Sequence, residues 1–324
     1  TSEEQLARVL PSIERDKLIL QTKGSPKEDP NEFRANFFDS LKRLKMDYVD
    51  LFGLHRINNE EVLEWSIRKD GCLAEARKLQ NEGYIRHVGF STHAEPETIV
   101  EAICHEEDGG FDYVNLHWYY IYQRNTPALI EAAKRDMGVF IISPTNKGGN
   151  LHEPSDKFRN ICEPLHPVVF NGLFCLSRPE IHTISIGASC PTDFDTQMGI
   201  LDHLEESPRE IETITQRLDR EWIETLGADF AEHYREGLPN WSDTPGELNI
   251  PVLLWLRNLV HAYDMVDYGK SRYDLMGDGG HWFPGQKIEE FDDQEIAALC
   301  VKSPFSDRIP ALLHETKELF TPKK

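Results

Sequence analysis

Asp47-Tyr48-Val49-Asp50-Leu51-Phe52-Gly53-Leu54-His55 is the stretch on which the fold turns. A short apolar run follows a segment of helical periodicity and ends in a lone histidine. A buried parallel strand looks like this when its carboxyl end carries a polar side chain. In a (β/α)8 barrel such strand ends gather at the face that holds the chemistry. On this stretch alone, His55 reads equally as a satisfied core histidine or as a site residue.

Working outward, residues 31–44 form an amphipathic helix with Phe33, Phe37, Leu41 and Leu44 on one face. Residues 17–23 before it read as a buried strand ending in Lys23 and stopped by Gly24-Ser25-Pro26. Thr1 or Ser2 caps a helix with Leu6, Val9 and Leu10 at helical spacing. On the other side, the periodicity predicts helices over 73–80, 96–104, 127–135 and 167–176, with another starting near Thr192. Strands are predicted over 85–90, 111–116, 138–142 and 182–186. Six strands alternating with helices indicate a parallel barrel or a doubly wound sheet. Beyond about residue 205 the pattern is helical, with Gly/Pro-rich segments at 238–251 and 277–285, so a domain boundary is expected there: 1–205, then 206–324.

Composition narrows the function. The 324 residues suit one large α/β domain and a smaller appendage. The formal charge is -21, from 35 basic and 56 acidic residues, and no basic stripe offsets it. Nucleic acid and anionic membrane surfaces are therefore poor partners. Cysteines at 72, 104, 162, 175, 190 and 300 form no CxxC pair, which argues against a zinc site or a disulfide framework. They read as buried reduced thiols of a cytoplasmic protein. No apolar run approaches the roughly 18 residues of a membrane span, and no signal peptide is evident.

Lys23 and His55 end two strands in the order needed to share one mouth. Such a pair can lower the pKa of a phenol or polarise a carbonyl, although a lysine at a strand end is commonly just solvated. Lys147-Gly148-Gly149 lacks Walker spacing and reads as a ligand loop or a flexible glycine loop. The aromatic run Trp118-Tyr119-Tyr120-Tyr122 reads as a pocket wall or as core.

Taken together the strings are specific. Leu20-Gln21-Thr22-Lys23, Asp47 to Leu51 with Leu54-His55, Ile85-Arg86-His87-Val88-Gly89-Phe90-Ser91, Ile142-Ser143-Pro144 with Lys147-Gly148-Gly149, and Ile186-Gly187-Ala188-Ser189 resemble the aldo-keto reductase family over about residues 1–200. The resemblance implies a (β/α)8 TIM barrel binding NADPH at its C-terminal mouth, with a small carbonyl compound reduced by hydride and proton transfer. It implies that Lys23 lowers the pKa of a catalytic tyrosine and that His55 orients the substrate carbonyl or assists proton transfer. Ser91 then falls where a Ser-Asn pair holds the nicotinamide carboxamide, with Thr92 in place of the usual asparagine, and Asn115, counted with the cofactor-binding residues, occupies the site of the family's glutamine on the sixth strand. Ser143 and Lys147 lie on the pyrophosphate side, and Gly187, Ala188 and Ser189 at the adenosine half. Gln197 matches an asparagine that meets adenine. Trp118 and Tyr119 would line the substrate pocket.

There are departures. The family's catalytic Asp and Tyr, and the first two barrel strands, fall before Thr1. The chain opens at a helix start with no initiating methionine, and an N-terminal segment is expected to precede it. Ile142 stands where many members have a nicotinamide-stacking tyrosine. Residues 190–196 contain no Arg or Lys for a 2′-phosphate, so NADPH rests on the family and NADH is open. Residues 249–251 and a helix expected over 263–273 resemble the tail of a branch with a helical ferredoxin-like domain. Only Cys300 remains there, so no iron–sulfur cluster is expected. His281, within a turn-rich aromatic string, either reaches the mouth or belongs to a stabilising turn. The leading expectation is a nicotinamide-dependent oxidoreductase. The alternative is a non-catalytic binding or regulatory protein on the same barrel.

Overall fold

The computed structural model describes residues 1–188, 190–204, 208–276 and 284–321. Ser189 and His281 lie outside the described residues. The chain divides into two compact units, one of Thr1–Pro144 with Phe174–Gly187, the other of Thr145–Leu173 with Ala188–Lys324.

The first unit is built on β1 (Gln21–Gly24), β2 (Val49–His55), β3 (Ile85–Ser91), β4 (Tyr113–Leu116), β5 (Gly138–Ile142) and β6 (Thr183–Ser185). All neighbours pair in parallel, and the strand order is the sequence order. A doubly wound sheet would reverse direction at a switch point; this one never does, so it winds as part of a barrel. Among the described residues β1 and β6 each have one neighbour. Its helices are α1 (Ser2–Leu6), α2 (Pro30–Leu44), α3 (Glu60–Ile67), α4 (Cys72–Asn81), α5 (Pro96–Cys104) and α6 (Thr126–Lys134).

Helix α2 starts where Asp29 accepts from the Asn31 N–H and Pro30 supplies a preset φ, and it ends on Lys45 in the left-handed region. Its expected face is the buried one. Phe33 and Phe37 pack on Phe52 of β2, with ring centroids 5.5 and 4.8 Å apart. Gly24 permits this approach, since a Cβ there would sit 2.9 Å from Phe52 Cζ. At the amino ends of the strands, charge is used structurally. Asp50 accepts from the Leu20 N–H at 2.8 Å and from Arg15 at 2.7 Å. Burial alone would raise its pKa, but that N–H with Arg15 and Arg86 outweighs burial and holds the carboxyl below the usual range.

The expected strand over 17–23 is corrected. Arg15–Lys17 is a 3-10 turn, Ile19 is 82% exposed, and pairing begins only at Gln21↔Leu51. Among the described residues no strand pairs with Leu18 and Ile19, and of the apolar run only Leu20 is buried.

Helices α7 (Pro144–Lys147) and α9 (Pro167–Leu176) each take residues from both units. The second unit contains α8 (Asp156–Cys162), α10 (Thr192–His203), α11 (Pro208–Leu226), α12 (Ala228–His233), α13 (Ile250–Tyr263), α14 (Val266–Leu275), α15 (Asp293–Leu299) and α16 (Ile309–Phe320). Helix α13 is its centre: buried nearly all round, capped by Asn249, and packed against α11, α14 and α16. The single helix expected over 263–273 is instead broken at Asp264, whose φ of 55° ends α13 before α14 begins. Helix α14 pins the end of α7. The Tyr268 hydroxyl donates to the Lys147 carbonyl at 2.7 Å, and the buried Arg272 donates to Asn146 Oδ1 at 2.8 Å. Among the described residues no helix is long and apolar enough to cross a membrane. The cysteines are not uniformly buried: Cys190 is exposed and Cys104 half-buried.

Candidate active site

The strand register brings three of the expected residues into one row. His55 pairs with Ser91, and Ser91 with Asn115, across the carboxyl ends of β2, β3 and β4. Lys23 pairs with Gly53 one step deeper. Gly53 makes room for what crosses it, since a Cβ there would lie 3.3 Å from Tyr113 Oη and 3.4 Å from Lys23 Cγ. Lys23 is largely enclosed, and burial pulls its pKa below the ordinary 10.5. Among the described residues its ammonium has no ion-pair or hydrogen-bond partner.

Asn115 is fully buried. Its Nδ2 donates to the Phe90 carbonyl at 3.4 Å, and its Oδ1 has no partner among the described residues. Ser91 Oγ accepts from the Arg56 N–H at 3.3 Å. The Thr92 hydroxyl is engaged locally, donating to the Ile57 carbonyl at 2.7 Å and accepting from the Ala94 N–H at 2.9 Å. Two residues at this edge carry positive φ without being glycine: Arg56, next to His55, at 67°, and Ser143, next to β5, at 54°. Such conformations cost of order 1–3 kcal/mol each and collect at functional sites. The Ser143 N–H donates to the Ser185 carbonyl at 3.2 Å, which holds its turn against β6. Gly187 is exposed, and a Cβ there would meet nothing within 4 Å. A glycine is not sterically demanded at that point.

A cluster absent from the expectations lies one step beyond that row. His93 follows Ser91 by two residues, and His117 follows Asn115 by two. His117 Nε2 is 2.7 Å from His93 Nδ1, with the ring planes 23° apart. His117 Nδ1 meets the Tyr119 hydroxyl and, at 3.2 Å, the Ile142 carbonyl, to which Tyr119 also donates. The signal in the sequence was the two-residue spacing past each strand end. Trp118, between them, is 2% exposed; its indole N–H donates to Thr126 and its ring stacks on Phe174 at 4.9 Å. These are the surroundings of a packed side chain.

In the second unit, Lys147 ends α7 and offers its carbonyl to Tyr268, Ala188 is exposed, and Gln197 is buried on α10. Among the described residues no group of three or more His, Cys, Asp or Glu side chains could hold a metal ion.

Sequentially ordered parallel strands alternating with helices make the first unit a half-barrel of α/β type, with polar side chains at the carboxyl ends of its strands. The sequence profile of the Aldo/keto reductase family matches residues 1–198. The chain belongs to that family. A probable aldo-keto reductase of Glycine max is 26% identical over 155 residues, 44% of this chain and 42% of that protein, so the chain spans less than half the length of this relative. A thermostable aldo-keto reductase solved with the inhibitor epalrestat superposes with a TM-score of 0.55 at 19% identity, over 67% of this chain and 77% of the other. The holo form of an aldo-keto reductase from Bacillus halodurans gives 0.55 at 19% identity, over 66% and 77%. These superpositions establish a shared fold.

Proposed function

We propose that the protein is a nicotinamide-dependent oxidoreductase that reduces a small-molecule carbonyl, or oxidises the corresponding alcohol, at the mouth of the strand barrel. One observation carries this reading: an enclosed Lys23, without an ion-pair or hydrogen-bond partner among the described residues, beneath an in-register row of His55, Ser91 and Asn115. A buried ammonium without a carboxylate is costly to keep, and its use is to favour a negatively charged neighbour such as a developing phenolate. His55 then orients the carbonyl oxygen.

The residues present fit a nicotinamide. Its carboxamide is a planar donor–acceptor pair, and the buried Asn115 Oδ1 is an acceptor in want of a donor. Ser91 supplies a hydroxyl beside it, Thr92 its backbone, and Ser143 and Lys147 the start of the pyrophosphate loop. Gly187, Ala188, Ser189 and Gln197 are assigned to the adenosine half. When bound, the dinucleotide supplies the hydride. We favour NADPH on family grounds. Tyr119 lines the substrate pocket, with Trp118 backing it.

We further propose that two more strands complete an eight-stranded barrel. Support comes from β1, which pairs on one side only among the described residues, and from Leu6, Val9, Ile13 and Ile19, apolar residues preceding it in the chain that are 39% to 82% exposed. Residues 206–324 are assigned to a helical tail related to the ferredoxin-like branch, without a cluster, since Cys300 is its one cysteine. A brown, iron-containing protein would overturn that assignment. For the whole reading, the test is fluorescence titration with NADPH and NADH. Saturable binding of either supports it; failure of both at millimolar concentration would leave the non-catalytic binding protein as the better account.

A further inference from the structure

We propose that Tyr268 and Arg272 of α14 are positioning residues for the dinucleotide: they hold the turn at residues 146–150 in the conformation that meets the pyrophosphate. This role rests on the nicotinamide reading above, in which Lys147 starts the pyrophosphate loop. It gives part of the helical region 206–324 a task in cofactor binding.

Residues 145–151 close on themselves through three backbone bonds. The Gly149 and Asn150 N–H groups donate to the Asn146 carbonyl at 3.3 and 2.8 Å, and the Leu151 N–H donates to the Thr145 carbonyl at 2.9 Å. The path requires positive φ at two successive residues, 127° at Gly149 and 54° at Asn150. Glycine adopts such angles freely, and asparagine does so more readily than most side chains. The same freedom gives a turn containing Gly148 and Gly149 many alternatives when nothing braces it. Ordering it only at the moment of binding would subtract from affinity.

Helix α14 supplies the brace. The Tyr268 hydroxyl donates to the Lys147 carbonyl at 2.7 Å, which fixes the point where the lysine stem leaves the backbone. Tyr268 is 2% exposed, and burial raises its pKa, so the phenol stays a donor. Arg272, also buried, donates to Asn146 Oδ1 at 2.8 Å. With its oxygen turned to Arg272, the Asn146 amide presents Nδ2 to Asn150 Oδ1 at 3.0 Å, and the two ends of the turn are linked. A Cβ on Gly149 would lie 3.0 Å from Met265 Cε, so the turn sits against the residue that precedes α14.

The brace is itself rigid. Helix α14 packs on both α13 and α16. Gly269 allows the close approach, since a Cβ there would fall 2.6 Å from the Phe320 ring and 3.3 Å from Val260 Cγ2. A turn tied to such a helix is ordered before a ligand arrives, and the flexible lysine side chain starts from a fixed backbone.

The test measures binding of NADPH and NADH to the full chain by fluorescence, displacement by ADP-ribose, and melting temperature. ADP-ribose keeps the pyrophosphate and lacks the nicotinamide. Tyr268→Phe and Arg272→Met are each expected to weaken the dinucleotide, and ADP-ribose equally, by roughly 10-fold, the size of one lost hydrogen bond. If Arg272→Met does not fold, Tyr268→Phe, which loses a single oxygen atom, decides alone. Arg272→Lys keeps a charged donor and is expected to bind more tightly than Arg272→Met; equal binding by the two overturns the assignment of Arg272. Asp292→Ala is the control, because it removes the N-cap of α15 and none of the bonds to the turn. It is expected to melt lower and to bind as wild type does. Affinity that follows melting temperature across all variants, Asp292→Ala included, overturns the inference in favour of general loosening. Wild-type affinity in both Tyr268→Phe and Arg272→Met overturns it and leaves the oxidoreductase reading intact, as does a loss confined to the dinucleotide with ADP-ribose unchanged. A wild type that binds neither nucleotide removes the underlying reading, and this inference with it.

Discussion

Lys23 shows how one side chain links stability to chemistry. Its ammonium is enclosed, with no counter-charge paired to it among the described residues, so the folded chain holds that proton less tightly than the unfolded chain. Between the lowered folded value and the ordinary 10.5, the unfolded chain binds more protons, and stability rises with pH across that window. Lys23→Met removes the burial cost. The variant is expected to melt higher than wild type at neutrality, with the gap narrowing as pH climbs toward 10.5. Paired melting curves over that range check the sign, and a gap that widened instead would show the lysine to be stabilised by a partner. The same substitution should lower turnover by about 100-fold or more while leaving nucleotide affinity within a few-fold. Steady-state kinetics with fluorescence titration separate the two, and equal losses in both would make Lys23 structural. The positions of Lys23, His55, Ser91 and Asn115 near strand ends were legible because the period and stop signals of each strand are local. His93 and His117 were not, because their meaning depends on a contact between two strands and on a carbonyl from a third.

At the scale of elements, the aromatic contact of α2 with β2 and the glycines along the sheet decide whether the strands assemble. Phe52 is fully buried against Phe33 and Phe37, so Phe52→Ala should cost about 3–5 kcal/mol in urea unfolding. A loss below about 1 kcal/mol would mean that the contact is not part of the core. Gly89→Ala should be at least as damaging for the opposite reason. The added Cβ would sit 2.4 Å from the Tyr113 carbonyl oxygen and 2.5 Å from its ring, and backbone cannot swing aside. Soluble Gly89→Ala protein with unchanged melting would contradict the packing described. Helices were the most legible elements, with 96–104 and 167–176 read to the residue. The misreadings were of ends. The start of β1 is set by where β2 offers partners, and the break between α13 and α14 is made by Asp264, whose left-handed backbone no glycine announces.

For the whole molecule, β1 and β6, which pair on one side only among the described residues, set the behaviour expected of residues 1–324. Strands that pair on one side only invite pairing with another chain, and a charge of -21 opposes it. Self-association is therefore expected to rise with salt as repulsion is screened. Light scattering with gel filtration at low and high ionic strength tests this; a monomer at both would argue that the edges are covered. By itself the sequence determined the alternation of strand and helix, the identity of the strand-end residues and the acidic surface. Each follows from local periodicity, stop signals or composition. The tertiary structure alone decided that the strands run in unbroken order, that His55, Ser91 and Asn115 share a row, and that Lys23 is enclosed with no partner among the described residues. It also placed His117 between His93 and the Ile142 carbonyl. Register, burial and proton position are properties of neighbours far apart in the chain, and they exist only once the strands have paired.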